Sequence, residues 1–276
     1  MPSLDDAHKE EENDEQPEDN TGGPATKWIT VFNRPCHGTV QRCRYNVRGA
    51  RLSPKIAKGK KDGLFISCVA SCSNLWALIM NDATGFSDQV YKLSPNFLPH
   101  EWIEEQWNKD FHISAIAGAD NGSSLVVMSK GTRFLRQHIV VSDSFPYEWI
   151  INQRKNGCYV TAMATSEKRW AIVASEGAGF SKQVVEVHSK YPSEHVRGRW
   201  DSGYDITATA ANADRVALVL SVPRTTIPTY NKQETYRSSA FPERHVHEYW
   251  DKDFYVSSIC YGRTFSLSVW RQAMVC

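Results

Sequence analysis

The feature that most constrains this fold is a repeat of about 45 residues, a period typical of propeller blades built from four short strands. One run of six residues occurs five times, as FISCVA from Phe65, HISAIA from His112, YVTAMA from Tyr159, DITATA from Asp205 and YVSSIC from Tyr255. Its second residue is always Ile or Val, and its third is always Ser or Thr. We interpret these copies as five examples of one structural unit.

Three further runs accompany the first in a fixed order. The second run is apolar and begins at Trp28, Trp76, Ser124, Trp170 and Val216. The third begins with a glutamine, at Gln41, Gln89, Gln137, Gln183 and Gln233. The fourth, except in its first copy, combines an aromatic residue and Pro with apolar residues, and spans 52–56, 97–103, 145–150, 191–196 and 241–246. Each run is short and is bounded by turn-forming residues, which predicts one β-strand for each run.

Four strands per unit predict an all-β chain folded as a five-bladed β-propeller. The first recognisable run of the chain is a second run, which starts at Trp28, and the last is a first run, 255–260. We therefore predict that N-terminal strands two, three and four pair with the C-terminal strand in one shared blade. Such a blade closes the ring and protects sheet edges that would otherwise be open.

The composition divides the chain into three parts. Residues 1–26 are predicted to be a disordered acidic tail, because the first 23 residues hold nine carboxylates and only Lys9 as a counter-charge. That tail carries −8, so the net charge of +1 leaves +9 for the remainder. A tail that folds over a basic face is the alternative to a solvated linker. We assign 27–264 to a single propeller domain and 265–276 to a divergent extension.

Cysteine use and hydropathy point to a soluble intracellular protein. We find no apolar stretch near the roughly 18 residues that span a bilayer, and the acidic N-terminus has the wrong sign for a secretory signal. Seven cysteines, an odd number in a chain that can bury its own core, favour reduced thiols. Cys68 and Cys72 could suggest a metal site. However, Cys68 shares a column with Ala115, Ala162, Ala208 and Ser258, so we predict a small core residue, no metal and no cofactor.

Residues that recur in every copy are predicted to be architectural. The Ser/Thr column is expected to hydrogen-bond backbone between blades, and the five glutamines are expected to satisfy loop backbone. Wide indole rings are expected to fill the wedges between blades. The tryptophans of this set are Trp28, Trp76, Trp102, Trp107, Trp149, Trp170, Trp200 and Trp250.

Function is expected where the repeat is varied and exposed. The turns between units and the loops between the second and third runs share one face of the predicted propeller. On that face we predict a partner-binding set consisting of Phe86, Arg133, Phe134, Arg136 and Phe180. Aromatic residues mixed with charges suit a peptide or a sugar. The alternative is that the three phenylalanines are repeat residues packed under their own loops.

Catalysis is not expected. A sugar-cleaving propeller needs a separated carboxylate pair, for which the candidates are Asp62, Asp110, Asp205 and Asp253. Turn positions already explain Asp62, Asp110 and Asp253. We find no nucleophile elbow, phosphate-binding loop or dinucleotide fingerprint. A carbohydrate-binding or carbohydrate-cleaving propeller therefore remains the alternative to a non-catalytic module.

Four long stretches carry a family resemblance: GLFISCVASCSNLWALIMNDATGFSDQVYKLSP, AGADNGSSLVVMSKGT, RWDSGYDITATAA and SICYGRT. They resemble the C-terminal, non-kinase region of plant casein-kinase-I-like protein kinases of the photoregulatory, histone-phosphorylating group. The resemblance extends over 27–264. It implies a plant protein, a nuclear location, and a protein partner such as a kinase, a photoreceptor or a chromatin component. Neither a membrane nor direct nucleic-acid binding is expected.

The kinase motifs themselves are missing from this sequence. It has no glycine-rich loop with its strand lysine, no HRD loop and no DFG motif. Segments 34–40 (RPCHGTV) and 265–276 also depart from the family, which leaves open a truncated kinase gene product or a stand-alone module. We predict a non-catalytic interaction module that docks a protein on its loop face. A third possibility is the serine/threonine kinase activity of the family.

Overall fold

The five repeats fold into five small antiparallel sheets in the computed structural model, which describes residues 26–34, 39–224 and 233–263. The predicted acidic tail, apart from Thr26, and the predicted C-terminal extension lie outside the described residues, so those two predictions stay predictions. Within the described ranges, no helix has the length and apolar character needed to cross a membrane.

The first three runs of each repeat are β-strands, as predicted. The first run forms β3 (Phe65–Cys72), β6 (His112–Gly118), β9 (Cys158–Ser166), β12 (Asp205–Ala211) and β15 (Tyr255–Arg263). The second forms β1 (Thr26–Asn33), β4 (Leu75–Asn81), β7 (Ser124–Lys130), β10 (Arg169–Glu176) and β13 (Val216–Pro223). The third forms β2 (Gln41–Val47), β5 (Asp88–Ser94), β8 (Gln137–Ser142), β11 (Phe180–His188) and β14 (Gln233–Ser238).

The fourth run is helical, so the prediction of four strands per unit, and with it an all-β chain, was wrong. The chain is mostly β, and each fourth run forms all or part of one helix. These helices are α1 (Leu52–Lys61), α2 (His100–Trp107), α3 (Tyr147–Lys155), α4 (Ser193–Asp201) and α5 (Glu243–Trp250). A 3-10 turn at Gly49–Arg51 precedes α1.

Two sequence features explain the helices. A proline precedes the first residue of α2 to α5, and each of these helices has a glutamate in its first turn, which the helix dipole favours. An apolar residue and a tryptophan four positions later share one side of a helix, as in Ile103 with Trp107, Val196 with Trp200 and Val246 with Trp250. The valine or isoleucine of each pair is buried.

Each sheet takes its strands from two successive repeats. The strand orders are β14-β1-β15, β2-β4-β3, β5-β7-β6, β8-β10-β9 and β11-β13-β12. The third run therefore pairs with the middle strand of the following repeat, on the far side of a helix. First-run strands of neighbouring sheets contact each other, β3 with β6, β6 with β9, β9 with β12, β12 with β15 and β15 with β3. We call them the inner strands.

The two ends of the chain share a sheet. β1 lies between β14 and β15, with Ile29 opposite Cys260 and Thr30 opposite Tyr236. Pairing of an N-terminal strand with the C-terminal strand is thus confirmed. However, only β1 joins this sheet. β2 begins the next sheet, and 52–61 is helical, so the predicted contribution of three N-terminal strands was wrong.

The Ser/Thr column marks a β-bulge in every inner strand. The pairing register shifts at Ser67, Ser114, Thr161, Thr207 and Ser257. Their hydroxyls bond to the middle strand of the same sheet. For example, Ser67 Oγ donates to the Ile79 carbonyl at 3.2 Å, and the hydroxyls of Thr161 and Ser175 lie 2.6 Å apart. The predicted role is architectural, but the bonds lie within a sheet and not between sheets.

The glutamine column links neighbouring sheets. Gln137, on β8, donates from Nε2 to the Ile113 carbonyl of β6 at 2.9 Å, and the Ile113 N–H donates back to Oε1 at 2.6 Å. Nε2 also donates to Ser175 Oγ in its own sheet at 3.0 Å. The same two bonds to an inner strand join Gln41 to Val256, Gln89 to Ile66, Gln183 to Val160 and Gln233 to Ile206. The predicted role is architectural, but the glutamines bond to the backbone of an inner strand in the neighbouring sheet and not to loop backbone.

The core lies between adjacent sheets. Trp28, Trp76 and Trp170 are buried at the ends of middle strands, in clusters that join residues of two sheets. Cys68 is itself a small core residue, as predicted, and its burial raises the pKa of its thiol to about 12. The inner strands surround a cavity of only about 30 Å³, to which each contributes small side chains.

Candidate functional site

The predicted phenylalanines lie at equivalent places in three successive repeats. Each ring contacts the first residue of a six-residue first run, edge to face: Phe86 with Phe65 at 6.3 Å, Phe134 with His112 at 6.5 Å and Phe180 with Tyr159 at 6.3 Å between ring centroids. We call these six residues the aromatic arc. All six are half-buried. Such contacts contribute about 0.5–1.5 kcal/mol each beyond area burial, so the rings support the fold while part of each stays accessible.

The loop 131–136 is held against the next loop, 176–180. Gly177 and Gly179 adopt φ values of 78° and 79°, in the left-handed region. A Cβ on Gly177 would overlap the Arg133 backbone oxygen, and one on Gly179 would lie 2.9 Å from the Arg133 guanidinium. Glycine is therefore required at 177 by both conformation and close approach, and at 179 by conformation, since the guanidinium can shift. This packing fixes the position of Arg133 beside Phe180.

Leu135 is the most exposed large apolar side chain of this face, at 68%. Its N–H donates to the Glu176 carbonyl at 3.0 Å, which holds the backbone that presents it. Arg136 Nε pairs with Glu176 Oε2 at 2.7 Å, although the arginine remains largely exposed. Val40, which precedes Gln41 in its own repeat, is likewise 60% exposed. The face thus combines fixed apolar side chains with cations.

Basic residues dominate the surroundings of Phe180. Arg133, Arg136, Lys182 and Arg224 are all exposed, and Arg224 Nε donates to the Phe180 carbonyl at 2.8 Å. Glu176, paired with Arg136, partly balances this charge. Side chains of this kind complement an acidic partner surface that carries an apolar anchor. All five predicted partner-binding residues therefore lie on the face formed by these loops and the starts of the inner strands.

The carboxylates considered for catalysis have separate structural explanations, with one exception. Asp110 and Asp253 have φ values of 63° and 59°, at the position occupied by glycine in the other three units, which confirms them as turn residues. Asp62 pairs with Arg42 at 2.7 Å. Asp205 begins β12, and burial raises the pKa of its carboxyl above the ordinary value. Asp205 is the member of this set whose environment favours the protonated form.

A His/Glu cluster on the outer part of one repeat was missed at the sequence level. Oxygen and nitrogen atoms of Glu186, His188 and His195 lie within 4.8 Å of one another, in an arrangement that could hold a transition metal. Glu186 and His188 are two apart on β11 and so share a face. His195 lies on α4, the helix that we had predicted as a strand, so sequence alone did not bring it to this face.

An arginine already compensates the carboxylate of this cluster. Arg199 donates from Nη2 and Nε to Glu186 Oε1 at 2.8 and 3.1 Å. Burial acts to raise the pKa of Glu186, but hydrogen bonds from Arg199 and the two histidines bring that pKa below its ordinary value. The positive charge of the Arg199 guanidinium disfavours the binding of a metal cation to the same carboxylate. We therefore interpret the cluster as an ion-pair network that fastens α4 to β11.

Fold and face together define a mostly β module of five repeated sheets with one aromatic and basic face. Residues 4–266 match the family described as "Domain of unknown function (DUF7477)", and the chain belongs to this family. It is 57% identical over 257 residues to the C-terminal part of Casein kinase 1-like protein HD16 from Oryza sativa subsp. japonica. The match covers 92% of this chain and 36% of the rice protein, so the chain spans about a third of that relative. The resemblance to the C-terminal region of plant casein-kinase-I-like kinases is confirmed.

Proposed function

We propose that this chain is a non-catalytic protein-interaction module, a closed five-bladed propeller whose loop face docks a protein partner. Closure is supported by the cyclic order of contacts between inner strands, which includes β15 with β3. It is also supported by β1, which lies between the two C-terminal strands β14 and β15. Each blade then consists of three strands and one helix, which connects the outer strand of the blade to its inner strand.

The observation that carries the docking proposal is the exposed Leu135, held between Arg133 and Arg136 beside the aromatic arc. A large apolar side chain at 68% exposure gains by burial in a partner, at roughly 25 cal/mol per Å² of apolar surface. The flanking cations favour an acidic rim on that partner. Its proposed identity is a kinase, a photoreceptor or a chromatin component, in the nucleus of a plant cell.

The proposal assigns no phosphotransfer to this chain. The rice relative is named a casein kinase 1-like protein, and the present chain matches about a third of it. Since the sequence lacks the glycine-rich loop and the HRD and DFG motifs, we propose that any kinase activity comes from a partner chain. A titration with ATP and Mg²⁺ tests this point. Saturable binding to the isolated protein would contradict it.

Partner retention tests the face itself. Leu135→Asp should deplete the partners retained from a plant nuclear extract, as quantified by mass spectrometry, by tenfold or more, because it places a carboxylate where an apolar anchor is needed. Ile151→Asp is the matched control, since Ile151 is also exposed, at 42%, but lies on α3. The triple change of Phe86, Phe134 and Phe180 to alanine should have a similar effect. If Leu135→Asp and the triple alanine variant both retain the same partners as the Ile151→Asp control, the proposed face is refuted.

A carbohydrate-binding or carbohydrate-cleaving propeller is the second candidate function, favoured by the raised pKa of Asp205. A carboxyl with a raised pKa is what a general acid at a glycosidic bond requires. A glycan array tests this candidate, with Asp205→Asn as the comparison. It requires at least one glycan that binds the parent protein and binds the variant less. An array without binding would remove it.

A further inference from the structure

A groove of about 480 Å³ lies between α1 and β5. The helix connects two strands of the sheet β2-β4-β3, whereas β5 belongs to the neighbouring sheet. Its lining includes Ile56, Leu64, Phe65 and Gln89, with Lys60 among the polar contributors. Ile56 and Leu64 are buried, whereas Phe65 and Gln89 are partly accessible. The volume is within the range of about 300–1,000 Å³ that is usual for ligand pockets. The groove is therefore large enough for an aromatic side chain.

The other repeats show what normally lies in this position. Five residues before the inner strand, α2, α4 and α5 carry Trp107, Trp200 and Trp250. Each indole Nε1–H donates to the Oε1 of the glutamine that links two sheets, at 3.1, 2.9 and 3.0 Å respectively. Each tryptophan is also one helical turn after a buried Ile or Val. An indole that is hydrogen-bonded to glutamine is thus the repeated occupant of this position.

α1 has Lys60 where those helices have tryptophan. Its ammonium group pairs with Asp88 Oδ1 at 2.8 Å, and its side chain is 55% exposed. Ile56, four residues earlier, keeps the buried position of Ile103, Val196 and Val246. Among the described residues, Gln89 Oε1 accepts a hydrogen bond from the Ile66 N–H, at 2.8 Å, and from no indole. The groove therefore keeps its apolar wall and a carbonyl acceptor but lacks the ring.

We propose that this groove binds the tryptophan side chain of an acidic partner polypeptide. The indole takes the place that Trp107 has in the next repeat, donates to Gln89 Oε1 and packs against Ile56 and Leu64. The last turn of α1 carries the exposed Lys58, Lys60 and Lys61, so acidic residues beside the tryptophan complement the rim. The inference stands independently of docking at Leu135, since neither Leu135 nor its flanking arginines line the groove, although Phe65 belongs both to the groove and to the aromatic arc.

A short peptide tests the ligand. The probe is a fluorescein-labelled peptide in which Asp and Glu residues flank one tryptophan, titrated against the full chain by fluorescence anisotropy. We expect saturable binding, at least tenfold loss on replacement of the tryptophan by alanine, and a loss of about tenfold with 1-methyltryptophan, which cannot donate to Gln89. Absence of binding at millimolar protein, or equal binding of all three peptides, would overturn the proposal.

A substitution in the protein can also place a tryptophan side chain in the groove. Lys60→Trp should fill the groove, raise the melting temperature by about 3 °C and reduce peptide binding at least tenfold. Loss of the exposed Lys60–Asp88 pair should have little effect on stability. Arg154→Trp, at the equivalent position of α3, is the matched control and should leave peptide binding unchanged. A Lys60→Trp protein that binds the peptide like the parent, or melts below it, would contradict a groove shaped for indole.

Discussion

Gln41 and Val256 are 215 residues apart in the chain and share two hydrogen bonds. Gln41 Nε2 donates to the Val256 carbonyl at 2.9 Å, and the Val256 N–H donates to Gln41 Oε1 at 2.9 Å. Trp250 Nε1 donates to the same oxygen at 3.0 Å. One amide side chain therefore connects the second strand of the chain to its last inner strand and to the helix that precedes it.

Gln41→Leu should destabilise the protein by about 2–4 kcal/mol, because it leaves the buried N–H and C=O of Val256 without their partner. Urea unfolding provides the measurement. Gln137→Leu, at the equivalent position between two internal sheets, should show a loss of similar size. A loss below about 0.5 kcal/mol for Gln41→Leu, with a large loss for Gln137→Leu, would mean that the link between the ends contributes little.

Gly177→Ala should cost more stability than Gly157→Ala, although the two glycines have nearly the same φ, 78° and 77°. The added methyl group on Gly177 would overlap the Arg133 backbone, whereas a Cβ on Gly157 meets nothing within 4 Å. We expect about 1 kcal/mol from conformation alone at Gly157 and about 2–3 kcal/mol at Gly177, measured by thermal unfolding. Equal losses would show that the two loops are not in close contact.

The Glu186 network predicts a defined pH dependence. The folded-state pKa of Glu186 is lowered, so its stabilisation is complete above the unfolded pKa of about 4.3 and is lost as pH falls through the folded value. Glu186→Gln should therefore reduce stability by about 1 kcal/mol at pH 7 and by less at pH 3. The matched control is Glu148→Gln, on the exposed side of α3. A stability difference for Glu186→Gln that grows on acidification would contradict the assignment.

The strands of this fold could be predicted because their pattern is local. Ile or Val followed by Ser or Thr recurs at the bulge of each inner strand, and Gln41 and its four equivalents lie within the first four residues of each third strand. The helices were missed because aromatic-Pro segments were interpreted as extended. The informative signal was the four-residue spacing of Val196 and Trp200 and its counterparts, which places both side chains on one helical face.

Long-range relationships were less accessible to sequence reasoning. The pairing of each third strand with the following repeat depends on how a helix reverses the chain, and no residue type encodes it directly. The partner of Phe86 was likewise not evident, because Phe65 lies in a different run of the repeat. The Glu186–His195 contact required α4 to be a helix. Partner binding by the five candidate residues of the loop face stays a prediction.

The most direct test of the central claim, a ring closed by the N-terminal strand, is to remove that strand. A variant that lacks residues 1–34 loses β1, the strand that lies between β14 and β15. Both of these strands are then left without the partner to which they hydrogen-bond. The account predicts loss of the single cooperative unfolding transition and increased cleavage by protease, with recovery when a peptide of residues 26–34 is added. A variant that unfolds as sharply as the full chain, at the same midpoint, would contradict it.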